Sequence, residues 1–300
     1  MHSERVRGHL ALVAVQFCFG LFPVFGVLAF RPGGFSPLAV AGWRMAFGAA
    51  ALMLLALWKH GRGIVPASRD LVPLLLASLL GVTLNMVLFL EGLARSTPTN
   101  AALMMGLIPV ITFTIAACAG QERVTPLRTL GVGLALCGAS SRFWAERPEL
   151  VREHALGNLL MAANAACYSG YFVVSRPLLR RYPPRVVIAW VFALSVPFVP
   201  VFGHGEAFVP AGASAGHWRA LAFILVFPTV LAYVLNAFAL ATLGAATTAI
   251  YIYVQPLITA SASALLLSEE LTWAMLLSAL LVFTGIWLVS RRPIPAAVPA

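Results

Sequence analysis

The stretch ALAFILVFPTVLAYVLNAFALATLGAATTAIYIYVQPLITASASALLLS (220–268) runs for 49 positions without an Asp, Glu, Lys or Arg. A helix needs about 20 apolar residues to cross the hydrocarbon of a bilayer. The stretch is too long for one crossing and suits two, with TLGAATT (242–248) as the natural break. About a quarter of the residues of an average soluble domain are charged, whereas this 300-residue chain has 10% charged and 61% hydrophobic residues. With a mean hydropathy of +0.92, its solvent is lipid.

Working outward, the same kind of interruption cuts the chain into ten apolar runs: 9–30, 37–58, 71–93, 99–119, 127–144, 155–175, 186–203, two within 220–268, and 271–290. Ser36-Pro37, Thr125-Pro126 and Thr272 are start signals, each a capping residue or first-turn proline before an apolar run. The first run is longer than the apolar core of a secretory signal and is read as a span. The expected fold is an all-α integral membrane protein with ten transmembrane helices.

The net charge of +10 falls in short bursts between the runs. With the N-terminus inside, 13 basic residues lie on the inner side and six on the outer, which puts both termini in the cytoplasm. An Arg-rich, Lys-poor and Ala-rich composition fits a GC-rich bacterial genome, hence the inner membrane. No burst has the basic, aromatic-interleaved pattern of a nucleic-acid footprint. The four cysteines sit in apolar runs at no metal-ligand spacing, so no metal or cofactor is expected. There is no His-Glu-Xaa-Xaa-His or Gly-Xaa-Ser-Xaa-Gly, and the lone Asp, Asp70, lies in a loop. These absences argue against an enzyme.

The chain also repeats itself. Pro37, Trp43, Pro109, Thr112, Glu122, Thr125 and Gly138 recur 147 positions later as Pro184, Trp190, Pro256, Thr259, Glu269, Thr272 and Gly285. At the start of each half the offset is 149, pairing Gly8 with Gly157 and Cys18 with Cys167. The expected organisation is a first five-helix repeat (1–146), an extracytoplasmic linker (147–154), a second repeat (155–290) and a disordered cytoplasmic tail (291–300). Five is odd, so the second copy must enter the membrane in the opposite sense, the inverted-repeat plan of secondary transporters.

Three segments, SPLAVAGWRMAFGAA (36–50), NMVLFLEGLARSTPTNAALMMGLIPVITFTIAACAGQERVTPLRTLGVGLALCG (85–138) and LGAATTAIYIYVQPLITASASALLLSEELTWAMLLSALLVFTG (243–285), closely resemble the drug/metabolite transporter superfamily. Within it they resemble the ten-helix EamA type, which includes bacterial aromatic amino-acid exporters. The resemblance covers essentially the whole chain and implies an inverted-repeat exporter of small metabolites. It leaves the substrate open.

Candidate substrate-binding residues follow from polar groups inside the spans, which are costly against lipid. Asn164, Tyr168 and Tyr171 lie at i, i+4 and i+7 on one helical face. The repeat places Phe19 in the position matching Tyr168. Tyr251, Gln255 and Thr259 form a stripe around Pro256, and Pro109 matches Pro256 in the fourth span. Each proline releases a backbone carbonyl one turn earlier, and paired interrupted helices point to a transporter site. Asn85, Tyr233 and Asn236 add polar groups in spans three and eight, and Trp43 adds an aromatic. Packing alone would also account for the aromatics and the kinks.

Arg44 is the only basic residue well inside a span. It could bind a carboxylate, or snorkel to the outer rim; the family carries an Arg here whatever its substrate, which favours a gating or structural role. Glu91 sits near an outer helix end, and no histidine lies at depth, which favours uncoupled movement over proton antiport. The expected activity is export of small neutral or zwitterionic metabolites by alternating access, amino acids first and aromatic ones favoured. Drugs or phosphorylated metabolites are the alternative cargo, and a non-transporting membrane scaffold the alternative of another class. A functional monomer is expected, because one chain holds both repeats.

Overall fold

The computed structural model describes residues 2–118, 124–145, 148–243, 251, 254–270 and 272–290, and among them there is no strand. The first half comprises α1 (His2–Ala29), α2 (Pro37–His60), α3 (Leu71–Ser78) continuing through a π turn, Leu79–Thr83, into α4 (Leu84–Ala94), then α5 (Pro98–Met105), α6 (Ile108–Cys118) and α7 (Pro126–Ala145). The second comprises α8 (Pro148–Leu179), α9 (Pro184–Ala193), the short α10 (Val199–Phe202), α11 (Ala215–Val226) continuing through a second π turn, Phe227–Leu231, into α12 (Ala232–Leu243), then α13 (Gln255–Leu267) and α14 (Trp273–Ser290).

Six stretches among the described residues are long and apolar enough to cross a membrane: Glu4–Ala29, Pro37–His60, Ser68–Ala94, Pro98–Ile115, Pro184–Phe202 and Ala215–Asn236. Three apolar helices are shorter, Pro126–Gly138, Gln255–Leu267 and Leu276–Gly285. The start of the ninth expected run and the tail after Ser290 lie outside the described residues.

Capping chemistry sets several boundaries. Ser36 accepts from the Ala39 N–H (3.1 Å), Thr97 from Asn100 (3.2 Å) and Thr125 from Arg128 (3.4 Å), each ahead of a first-turn proline. Residues 148–154, within the expected linker, are helical and continue into the rest of α8. One expectation needs correction. The seventh run is not one helix: α9 stops at Ala193 and a 3₁₀ turn, Val196–Phe198, precedes α10, as Pro197 and Pro200 remove the donors a continuous helix requires.

The leading helix of each half is embedded in the other half. α1 packs on α11, α12 and α13, whereas α8 packs on α3, α4, α5 and α6. α2 lies along α9, and α7 along α14. The ends are tied the same way. Trp43 Nε1 donates to the Phe208 carbonyl (2.8 Å), and Trp190, 147 positions later, donates to the Ile64 carbonyl (2.6 Å).

The α7–α14 seam depends on two glycines. Ser278 Oγ donates to the Gly138 carbonyl (2.6 Å), and a Cβ on Gly285 would collide with the Gly131 carbonyl oxygen. Such close approach is the use small residues serve between membrane helices. Gly285→Val should therefore destabilise the protein by about 1–3 kcal/mol through overpacking. Gly133→Ala, where a Cβ meets nothing within 4 Å, should leave the melting temperature unchanged or raise it. Thermal unfolding in detergent, followed by tryptophan fluorescence, checks both.

Candidate functional site

Two π turns interrupt the helices that follow the long loops of each half, and functional groups gather on them. A π turn breaks the regular backbone ladder, and in hydrocarbon the freed groups must find partners inside the protein. In the second π turn the cause is local: Pro228 has no N–H for the Ile224 carbonyl four residues earlier. Thr229 Oγ1 donates to that carbonyl instead (2.7 Å) and accepts from Arg44 Nε (3.0 Å).

Arg44 thus turns into the bundle rather than toward the rim. It is 5% exposed, and its guanidinium carbon lies 4.2 Å from the centroid of Phe22. Phe22 in turn stacks on Phe89 of α4, with centroids 5.0 Å apart. The cation is held by one hydrogen bond and a ring face, a desolvated setting in which cation–π attraction is strongest.

The first π turn is covered from the other half. The Tyr171 ring lies directly on Gly81, where any Cβ would collide with it. One turn on, the Asn85 carbonyl accepts from Asn164 Nδ2 (2.6 Å). Asn164 and Tyr171 thus share the face of α8 that meets the first π turn and α4, and Tyr168 joins them through its ring contact with Tyr171. Tyr168 and Tyr171 stack at 5.6 Å, and Phe172 meets Tyr168 edge-on at 4.7 Å. Tyr233 of α12 stands edge-on to Phe19 (6.1 Å) and Phe192 (5.5 Å). It is also within electrostatic range of Arg44, Tyr168 and Tyr171. Five sequence-selected residues, Phe19, Arg44, Tyr168, Tyr171 and Tyr233, therefore converge, with Asn164 and Asn85 one turn away.

Buried acceptors remain within this region. Asn164 Oδ1 and Thr83 Oγ1 have no hydrogen-bond partner in the protein. A buried polar atom in a native structure calls for a partner, and here water or a bound ligand can supply it.

The other selected residues lie apart from the tyrosines. Gln255 Nε2 donates to Gln16 Oε1 (2.8 Å), and Thr259 Oγ1 donates to the Gly20 carbonyl (2.7 Å), forming a polar seam between α1 and α13. Tyr251 Oη lies 2.8 Å from His9 Nδ1. Pro256 and Pro109 are the second residues of α13 and α6, and α6 begins just after a turn at Gly106–Leu107. Asn236 is three positions beyond Tyr233 on α12. The indole N–H of Trp43 is engaged by Phe208 at a helix end, and Glu91 pairs with Arg95 one turn away. Among the described residues no three His, Cys, Asp or Glu gather as metal ligands.

Sequence reading missed Pro228 and Thr229. The available signal was a proline inside an uncharged run followed by a hydroxyl residue. Thr229→Val would strand both the Ile224 carbonyl and Arg44 Nε, at about 1–3 kcal/mol for each buried group left unpaired. Thr229→Ser, which keeps the hydroxyl, should melt near the wild-type temperature, and thermal denaturation of the two variants side by side is the check.

Comparison with known proteins agrees with this architecture. A solved crystal structure matches 96% of both chains with a TM-score of 0.66 at 17% identity, a likeness of fold. An uncharacterized transporter, YyaM, of Bacillus subtilis (strain 168) is 24% identical over 258 residues, covering 84% of each chain. A probable terminal-alkyne amino-acid exporter of Streptantibioticus cattleyicolor is 24% identical over 264 residues, covering 86% of each. The EamA-like transporter family matches twice, at residues 6–141 and 155–291. The chain is a multi-pass membrane protein belonging to the EamA-like transporter family.

Proposed function

We propose that the protein exports small neutral or zwitterionic metabolites, amino acids first and aromatic ones favoured, by alternating access between two inverted five-helix repeats. The observation that carries this reading is the convergence of Tyr168, Tyr171, Tyr233 and Arg44, drawn from α8, α12 and α2, at the meeting of the two halves. Aromatic walls with a few fixed polar groups suit a partly apolar ligand. Arg44 offers a carboxylate its remaining guanidinium donors, and the free Asn164 Oδ1 offers an acceptor to an ammonium group. The amino-acid exporter among the relatives supports the substrate class.

The inverted repeat draws support from contacts that recur at the repeat offset. Gly138 packs against Ser278 while Gly285 packs against Gly131, and 138 and 131 each return 147 positions later as 285 and 278. Gly8 meets Thr242 while Gly157 meets Arg95, which is the same pair exchanged. Ten crossings with both termini in the cytoplasm of a bacterial inner membrane fit this arrangement. The end-tying pairs agree: Trp43 meets the 204–214 loop, and Trp190 the 61–70 loop, on opposite ends of the bundle.

Drugs or phosphorylated metabolites fit less well. One deep arginine is few for a phosphate group, and the strongly polar residue of α1 is Gln16, already bonded to Gln255, where a hydrophobic cation would want a carboxylate. A scaffold would leave Asn164 Oδ1 and the paired π turns without a use.

Counterflow in proteoliposomes tests the proposal, with unlabelled phenylalanine inside and labelled phenylalanine outside. Saturable uptake is expected, indifferent to an imposed pH gradient. Tyr233→Phe and Asn164→Leu should each weaken apparent affinity by about fivefold, the equivalent of one hydrogen bond of ~1 kcal/mol. No counterflow of any neutral amino acid by folded protein, or unchanged affinity in both variants, would overturn the assignment.

A further inference from the structure

At one rim of the bundle a groove separates the start of α3 from the end of α8. It encloses about 360 Å³, within the ~300–1,000 Å³ typical of small-ligand clefts. Its two walls come from different halves of the chain. Arg69 belongs to the 3₁₀ turn Ser68–Asp70 that precedes α3, and Arg181 follows the last turn of α8. Both therefore stand beyond the helix ends. Leu76 and Val174, which also line the groove, lie about 7–10 Å deeper along their helices at ~1.5 Å per residue. Polar lip and apolar floor follow the gradient of a membrane interface.

The one carboxylate here is already neutralised. Asp70 is 2% exposed and accepts from Arg181 Nη1 (2.5 Å) and Tyr182 Oη (2.7 Å). Arg69 is 77% exposed, 4.0 Å from Asp70 at its nearest, and Arg181 is 50% exposed. Two guanidinium groups face one inward-turned carboxylate, leaving a net positive lip with unused N–H donors. Arg180, beside Arg181, and Arg185, in the first turn of α9, are near in sequence and add to the field. The outer wall of α3 is apolar and open, with Val72 66% and Leu76 46% exposed, as expected of a surface in contact with acyl chains.

We propose that this groove binds an anionic phospholipid, its phosphate on Arg69 and Arg181 and one acyl chain along Leu76 and Val174. Arginine forks match phosphate oxygens, and basic residues at a membrane surface attract acidic lipid. A free phosphate would satisfy the lip alone and leave the apolar floor unfilled. Because the lipid touches both halves, its binding also secures the junction where Asp70 of one half holds Arg181 and Tyr182 of the other.

Native mass spectrometry of the intact protein, released from phosphatidylcholine nanodiscs containing phosphatidylglycerol, tests this. The wild type should retain phosphatidylglycerol over phosphatidylcholine. Arg69→Gln should weaken that preference about fivefold, the contribution of one basic residue at an anionic surface, and Arg69→Glu should abolish it. Both variants should melt like the wild type in phosphatidylcholine alone, since Arg69 is exposed. Equal retention by wild type and both variants would overturn the proposal, as would displacement of the lipid by millimolar inorganic phosphate, which would mark a plain anion site.

Discussion

In hydrocarbon every backbone polar group has to be satisfied by the protein itself, and that constraint organises the centre of this molecule. Pro228 takes one donor out of the helix that joins α11 to α12, and the Ile224 carbonyl it leaves behind is met by Thr229. Thr229 is then fixed in place to accept from Arg44, so a local helix defect becomes an anchor for a buried cation. Arg44 in turn draws in Phe22 and Phe89 beneath it. Without the defect there would be no seat for the guanidinium, and a buried unpaired charge is far too costly to persist.

The two halves solve the same problem with different residues. In span three the π turn has no proline; Gly81 admits the Tyr171 ring, and Asn164 reaches across to the Asn85 carbonyl. One π turn thus gathers a threonine and, from the other half, a cation, whereas the other takes a tyrosine pair and an amide from α8. Two copies of a fold would give identical faces, whereas divergence at these positions gives a site with a polar end and an aromatic wall. Near-symmetry elsewhere, at the glycine seams and the two end-tying tryptophans, keeps the scaffold balanced while the centre differentiates.

Much of this was legible in the sequence, and the limits are physical. The face carrying Asn164, Tyr168 and Tyr171 could be read because helical periodicity alone places i, i+4 and i+7 together. The starts at Ser36 and Thr125 could be read because capping is local chemistry. The EamA-like resemblance rested on whole-chain residue order, and the family match bears it out. The inward turn of Arg44 was not legible, since it depends on a hydroxyl 185 positions away. Nor was the register slip of the π turns, which inserts a residue without changing composition. Gln255 was chosen as a ligand-facing group, yet its amide meets Gln16, a long-range partner that no pattern within span nine announces.

The central claim is that Phe19, Tyr168, Tyr171, Tyr233 and Arg44 surround a path that opens to each side of the membrane in turn. The most direct measurement is labelling of Phe19→Cys, in a variant whose four native cysteines are alanine, by an impermeant maleimide applied to either side of oriented vesicles. The account predicts labelling from both sides, slowed by a transported amino acid. A cysteine that reacts from neither side, or at a rate no ligand alters, would contradict it.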